Sequence, residues 1–93
     1  MNLNDKIKTV LTCQDGELNQ ITSISSIHKL NTYYISKLFK NYNDNEIIEN
    51  WANNIISNLN KHEDIKNNCE CDFRICNDGN EKWNTGNLYI WVK

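Results

Sequence analysis

Apolar residues recur at helical spacing at Leu3, Ile7, Val10 and Leu11, which predicts a first helix from about Asn2 to Thr12. Gln14-Asp15-Gly16 breaks it, and a short extended piece fits Glu17 to Ile21. The next stretch, ITSISSIHKLNTYYISKLF, keeps apolar residues at Ile24, Ile27, Leu30, Ile35, Leu38 and Phe39. Ser25 is small where two crossing helices must come close, and Asn31 and Thr32 can cap a second helix. The pattern predicts two short helices joined by a tight corner over about 22–41. Asn43 and Glu46 have capping-box spacing, and Ile47, Ile48, Trp51, Ile55 and Leu59 form a stripe behind them, so a longer helix runs to about His62. The period then falls to two. Cys69, Cys71, Phe73 and Ile75 alternate with Glu70, Asp72 and Arg74, and Leu88, Ile90 and Val92 alternate with Tyr89 and Trp91. These are two strands with one buried face each, joined by a loop over 77–87 rich in turn formers.

The order is helix, helical pair, helix, hairpin, without prolines or internal repeats. It predicts an α+β fold in one domain covering residues 1–93. At this point the chain resembles the winged helix-turn-helix family of DNA-binding proteins. Ile24, Ser25, Leu30, Ile35, Ser36, Lys37 and Leu38 carry the likeness in the helical unit, about 22–41. The C-terminal β-hairpin, about 69–93, corresponds to the wing. Two features depart from the family: Lys29 stands where the corner usually has Gly, and an extra helix separates the helical unit from the hairpin. In size, composition and element order the chain is also similar to conjugation accessory proteins of clostridial plasmids, which bind an origin of transfer.

Composition sharpens the partner question. The net charge is −2, which argues against a protein that coats nucleic acid indiscriminately, but the charges are unevenly spread. No Asp or Glu occurs from Leu18 to Asn43, a window that holds Lys29, Lys37 and Lys40. Asn, Ile and Lys supply 39 of the 93 residues, and their AT-rich codons point to a low-GC bacterium, its plasmid or its phage. The charged N-terminus and the absence of a long apolar run predict a cytoplasmic protein without a membrane partner, in which the four cysteines stay reduced.

The resemblance implies double-stranded DNA as partner. The second helix of the unit would then expose Thr32, Tyr33, Ser36, Lys37 and Lys40, with Tyr34, Ile35, Leu38 and Phe39 turned inward. That set lacks Arg and Gln for base edges and suits phosphate contacts, to which Lys29 adds a charge. The hairpin tip, Asn80, Lys82, Trp83, Asn84, Thr85 and Asn87, suits an AT-rich minor groove, with Arg74 beside it on phosphate. A solvated recognition face, and a loop with Trp83 folded onto the sheet, remain the plainer alternatives. The implied task is to mark an operator or a plasmid origin-of-transfer site within a conjugation or transcription complex. A domain of this size extends its footprint as a homodimer, through the first helix or through Tyr89 and Trp91 on the face of the hairpin opposite the core.

Other chemistry finds little support. His62, Cys69, Cys71 and Cys76 are soft donors, but the spacing of Cys69 and Cys71 within a strand suits buried thiols better than a zinc knuckle, and no cofactor is expected. No phosphate loop, H-E-x-x-H or serine elbow occurs, so the chain does not read as an enzyme. The competing class is an acidic phage or plasmid protein that binds and inhibits a host protein complex. Asp44, Glu46, Glu49, Glu63, Asp64, Glu70 and Asp72 would carry the charge.

Overall fold

A computed structural model describes residues 2–21, 32–40, 45–77 and 83–93. Among these, the elements follow in the order α1 (Leu3–Thr12), β1 (Glu17–Gln20), β2 (Tyr33–Lys40), α2 (Asn45–Asn60), α3 (Glu63–Asn68), β3 (Cys69–Asn77) and β4 (Trp83–Val92). The strands form one antiparallel sheet in the order β1-β2-β4-β3. The fold is α+β, with three helices and four strands.

Helix α1 starts where Asn2 accepts a hydrogen bond from the Asp5 backbone N–H at 2.8 Å, satisfying one of the free donors of the first turn. Ile7 and Leu11 bury its apolar side. In α2, Ile48, Ala52, Ile55 and Leu59 recur at three- to four-residue spacing and point to the sheet. The chain breaks at Lys61 and His62 and resumes as α3, anchored by buried Ile65 and tied to α1 by the Lys6–Asp64 ion pair at 2.9 Å. The Lys6 ammonium holds the Asp64 carboxyl below its ordinary range. These helices cover one side of the sheet, where Tyr33, Ile35, Leu88 and Ile90 complete the core.

The largest correction concerns the second helix of the expected unit. Tyr33–Lys40 is a strand that pairs with β1 on one side and β4 on the other. Strand alternation sends Tyr33, Ile35 and Phe39 to the helix side and Tyr34, Ser36, Leu38 and Lys40 to the opposite face. Aromatic and β-branched residues here fill a pleated surface between two neighbouring strands. The first helix of that unit falls outside the described residues, as does the Asn43 cap. A second correction shortens the hairpin loop. Trp83, Asn84, Thr85, Gly86 and Asn87 belong to β4, in unbroken register with both neighbours.

The first helix as a dimer surface is also corrected, since Ile7 and Leu11 are consumed by the protein's own core and Leu3 and Val10 pack against it.

The strand frame has a direct check. Tyr33 is 7% exposed within the core, so Tyr33→Ala should cost about 3 kcal/mol. Tyr34 only stacks on Tyr89, so Tyr34→Ala should cost about 1 kcal/mol. A helical Tyr33–Lys40 segment would reverse that order in urea unfolding.

Candidate binding face of the sheet

The side of the sheet away from the helices has no described element packed on it, and its composition follows from the register. Asn19, Tyr34, Tyr89 and Asp72 form one row across four strands, and Glu17, Ser36, Asn87 and Arg74 form the next. Leu38, Thr85 and Cys76 make a third row, and Lys40 lies beside Trp83. At the other end Trp91 lies beside Glu70.

Aromatic contacts organise the face. The Tyr34 and Tyr89 rings stack at a centroid separation of 5.2 Å and an interplanar angle of 30°. Burial pushes the Tyr89 hydroxyl above its ordinary range. The Lys40 ammonium sits 4.9 Å from the Trp83 ring centroid, a cation–π contact on the rim. Leu38 is 46% exposed, unusual for a leucine within a paired strand. The charges on the face are mixed: Lys40 and Arg74 against Glu17, Glu70 and Asp72. Arg74 Nε already donates to Asp72 at 3.0 Å.

The residues expected to meet DNA divide by strand parity. Ser36, Lys40, Arg74, Trp83 and Thr85 gather on this face; Asn87 lies there too but is buried, its amide donating to Cys76 Sγ at 3.7 Å. Tyr33, Lys37 and Asn84 point to the helix side, and Thr32 is fully buried at the start of β2. Lys29, Asn80 and Lys82 lie outside the described residues. Lys37 and Lys40 therefore occupy opposite sides of one strand. Lys37 is engaged by Asp15 in a short ion pair and lies 5.3 Å from the Phe39 ring. Asn84 accepts from the Asn77 amide at 3.1 Å, closing the end of the β3–β4 ladder. Sequence reasoning placed Tyr89 and Trp91 opposite the core, where they are, but turned Tyr34 and Leu38 inward. The alternation of Tyr33, Ile35 and Phe39 was the available signal.

Three arrangements hold the face in shape from behind. The Trp51 indole donates to the Asp15 carbonyl at 2.6 Å, and Asn58 donates to Gln14 at 2.9 Å, clamping the α1–β1 corner to α2. Gly16, at φ +152°, lies so close to β2 that a Cβ would meet Ile35 Cγ1 at 2.7 Å. Gly86 lets α2 press onto β4.

The cysteines are not the buried fillers that the sequence suggests: Cys13, Cys71 and Cys76 are exposed and Cys69 is half-buried. Cys69 and Cys71 face the helix side opposite Val92 and Ile90. Cys71 belongs to the outermost strand and is exposed, yet burial of its thiol pushes it up to about 11. Among the described residues no group of three His, Cys, Asp or Glu could hold a metal ion, and no helix is long and apolar enough to cross a membrane. No protein-family model, curated protein or solved structure matches the chain.

Proposed function

We propose that this chain is a non-enzymatic binding protein that docks another protein on the open face of its sheet. The observation that carries the reading is the Tyr34–Tyr89 stack, with Trp91 in the next row on one side, exposed Leu38 and then Trp83 two and three rows away on the other, and charges of both signs along the border. Interface centres are enriched in Tyr, Trp and Arg, while charged groups collect at the rim. The border favours a partner with basic groups facing Glu17, Glu70 and Asp72, and an acidic group facing Lys40. Inhibition of a host complex by a small phage or plasmid protein is one task of this kind.

Marking of a DNA site is the second reading, and one observation favours it: Ser36, Lys40, Arg74, Trp83, Thr85 and Asn87 share this face. Charge weighs against it. Phosphate binding draws its strength from unopposed cations, whereas among the described residues two cations on this face meet three carboxylates, one of them bonded to Arg74. A duplex gripped by a recognition helix at 33–40 has no counterpart in a strand. Among the described residues, DNA contact would run through the sheet.

The test uses the double variant Tyr89→Ala/Trp83→Ala beside a control on the opposite side, Ile47→Ser. Wild type and control should retain the same protein from a lysate of the source cells, and the face variant should lose it, at about 30-fold or more in affinity. Retention by all three overturns the reading. So does micromolar binding to an AT-rich duplex at low salt that Lys40→Ala weakens, which would put DNA on the face instead.

A further inference from the structure

The sheet has two edges of very different character. Strand β1 at one edge is four residues long, whereas β3 at the other is nine. All nine residues of β3 pair with β4 in unbroken register, so no bulge bends this edge away. The chain has no proline, and β3 contains no lysine. A long edge with no proline, lysine or bulge therefore leaves a row of backbone donors and acceptors, and its three charged side chains, Glu70, Asp72 and Arg74, all lie on the open face. The helix layer also stops short of it. Cys71 is exposed, and Phe73 and Ile75 are only half-buried, although all three point to the helix side.

The side chains of β3 are complementary to their own copy. We propose that β3 pairs antiparallel with β3 of a second copy about a two-fold axis at Phe73. In that register Asp72 lies opposite Arg74 of the second copy and Arg74 opposite its Asp72, so two oppositely charged pairs form on the open face. On the helix side Phe73 meets its own copy and Cys71 meets Ile75, covering the strip that the helices leave bare. Glu70 faces uncharged Cys76. Sliding either strand by one two-residue repeat sets Asp72 against Asp72 or Arg74 against Arg74. A slide of one residue puts the helices of the two copies on opposite sides of the sheet. Of the registers within one two-residue repeat, only the full-length one keeps the helices together without opposing like charges, and larger slides give up paired residues. The product is an isologous dimer with one continuous sheet, order β1-β2-β4-β3-β3-β4-β2-β1. Its open face is twice that of a single chain.

Light scattering on a sizing column at about 100 µM should give twice the 11.0 kDa chain mass. Asp72→Arg opposes arginine to arginine across the axis, and Arg74→Asp opposes aspartate to aspartate. Each variant alone should run as a monomer with an unchanged circular dichroism spectrum. Mixed together they should form a 1:1 heterodimer at least tenfold tighter than either self-association, because the opposed pairs become complementary again. A wild-type protein that stays at 11 kDa, single variants that remain dimeric, or a mixture that remains monomeric would each refute the pairing.

Discussion

Replacing Gly86 by valine should lower the melting temperature by about 10–20 °C, the equivalent of about 3 kcal/mol in a domain of this size. Gly86 lies on the helix side of β4, between Lys37 and Ile75, under the first half of α2. A Cβ there would stand 2.8 Å from Ile48 Cγ2 and 2.9 Å from Trp51 Cζ3, inside contact distance for both. Neither neighbour can yield. Ile48 is β-branched and fully buried. The Trp51 ring is held by its bond to the Asp15 carbonyl and by an edge contact to Phe39 at 5.7 Å. The helix itself must rise, opening the core behind it. Alanine normally gains about 0.5–1 kcal/mol over glycine in a strand, so Gly86→Ala tests the sign directly. Thermal unfolding should rank wild type above alanine above valine. An alanine variant more stable than wild type would show that α2 is not pressed on this strand.

Leu59→Ala should cost about 3–4 kcal/mol, a large share of the roughly 5–14 kcal/mol expected of a chain this long. Leu59 is fully buried in the cluster where α1, α2 and α3 meet the sheet, with Ile7, Leu11 and Ile65 in the same core. Removing its branched end leaves a cavity that three helices border, and close-packed neighbours refill such space poorly. Ile47, on the outer side of the same helix and 42% exposed, provides the contrast, since Ile47→Ala should change stability by about 0.5 kcal/mol or less. Chemical denaturation that gave the two variants similar midpoints would overturn the orientation of α2.

Much of the fold was legible from periodicity. Helices α1 and α2 carry clean stripes, and β3 and the second half of β4 alternate cleanly. Strand β2 was not legible because Tyr33–Lys40 satisfies two periods. Tyr34, Ile35, Leu38 and Phe39 make a plausible helical face, while Tyr33, Ile35 and Phe39 make a strand face interrupted by Lys37. Strand alternation puts that lysine on the helix side, where Asp15 engages it, a contact 22 residues away that no local pattern reveals. The start of β4 hid for a similar reason. Asn84 and Gly86 look like turn formers, yet one closes a cross-strand pair and the other makes room for α2. Helix α3 has no apolar stripe to read, because Ile65 is its sole buried residue. The open face needed register as well as parity, since its rows combine four strands far apart in sequence.

The position of β4 also bears on how the protein is born. It is the last of the described elements, yet it lies between β2 and β3 and supplies Leu88 and Ile90 to the core. A ribosome-bound nascent chain cannot zip its two outer halves together until residues 83–92 have cleared the exit tunnel. Until then both flanks of that vacant slot remain sticky toward neighbouring polypeptides, and a chaperone has its longest opportunity.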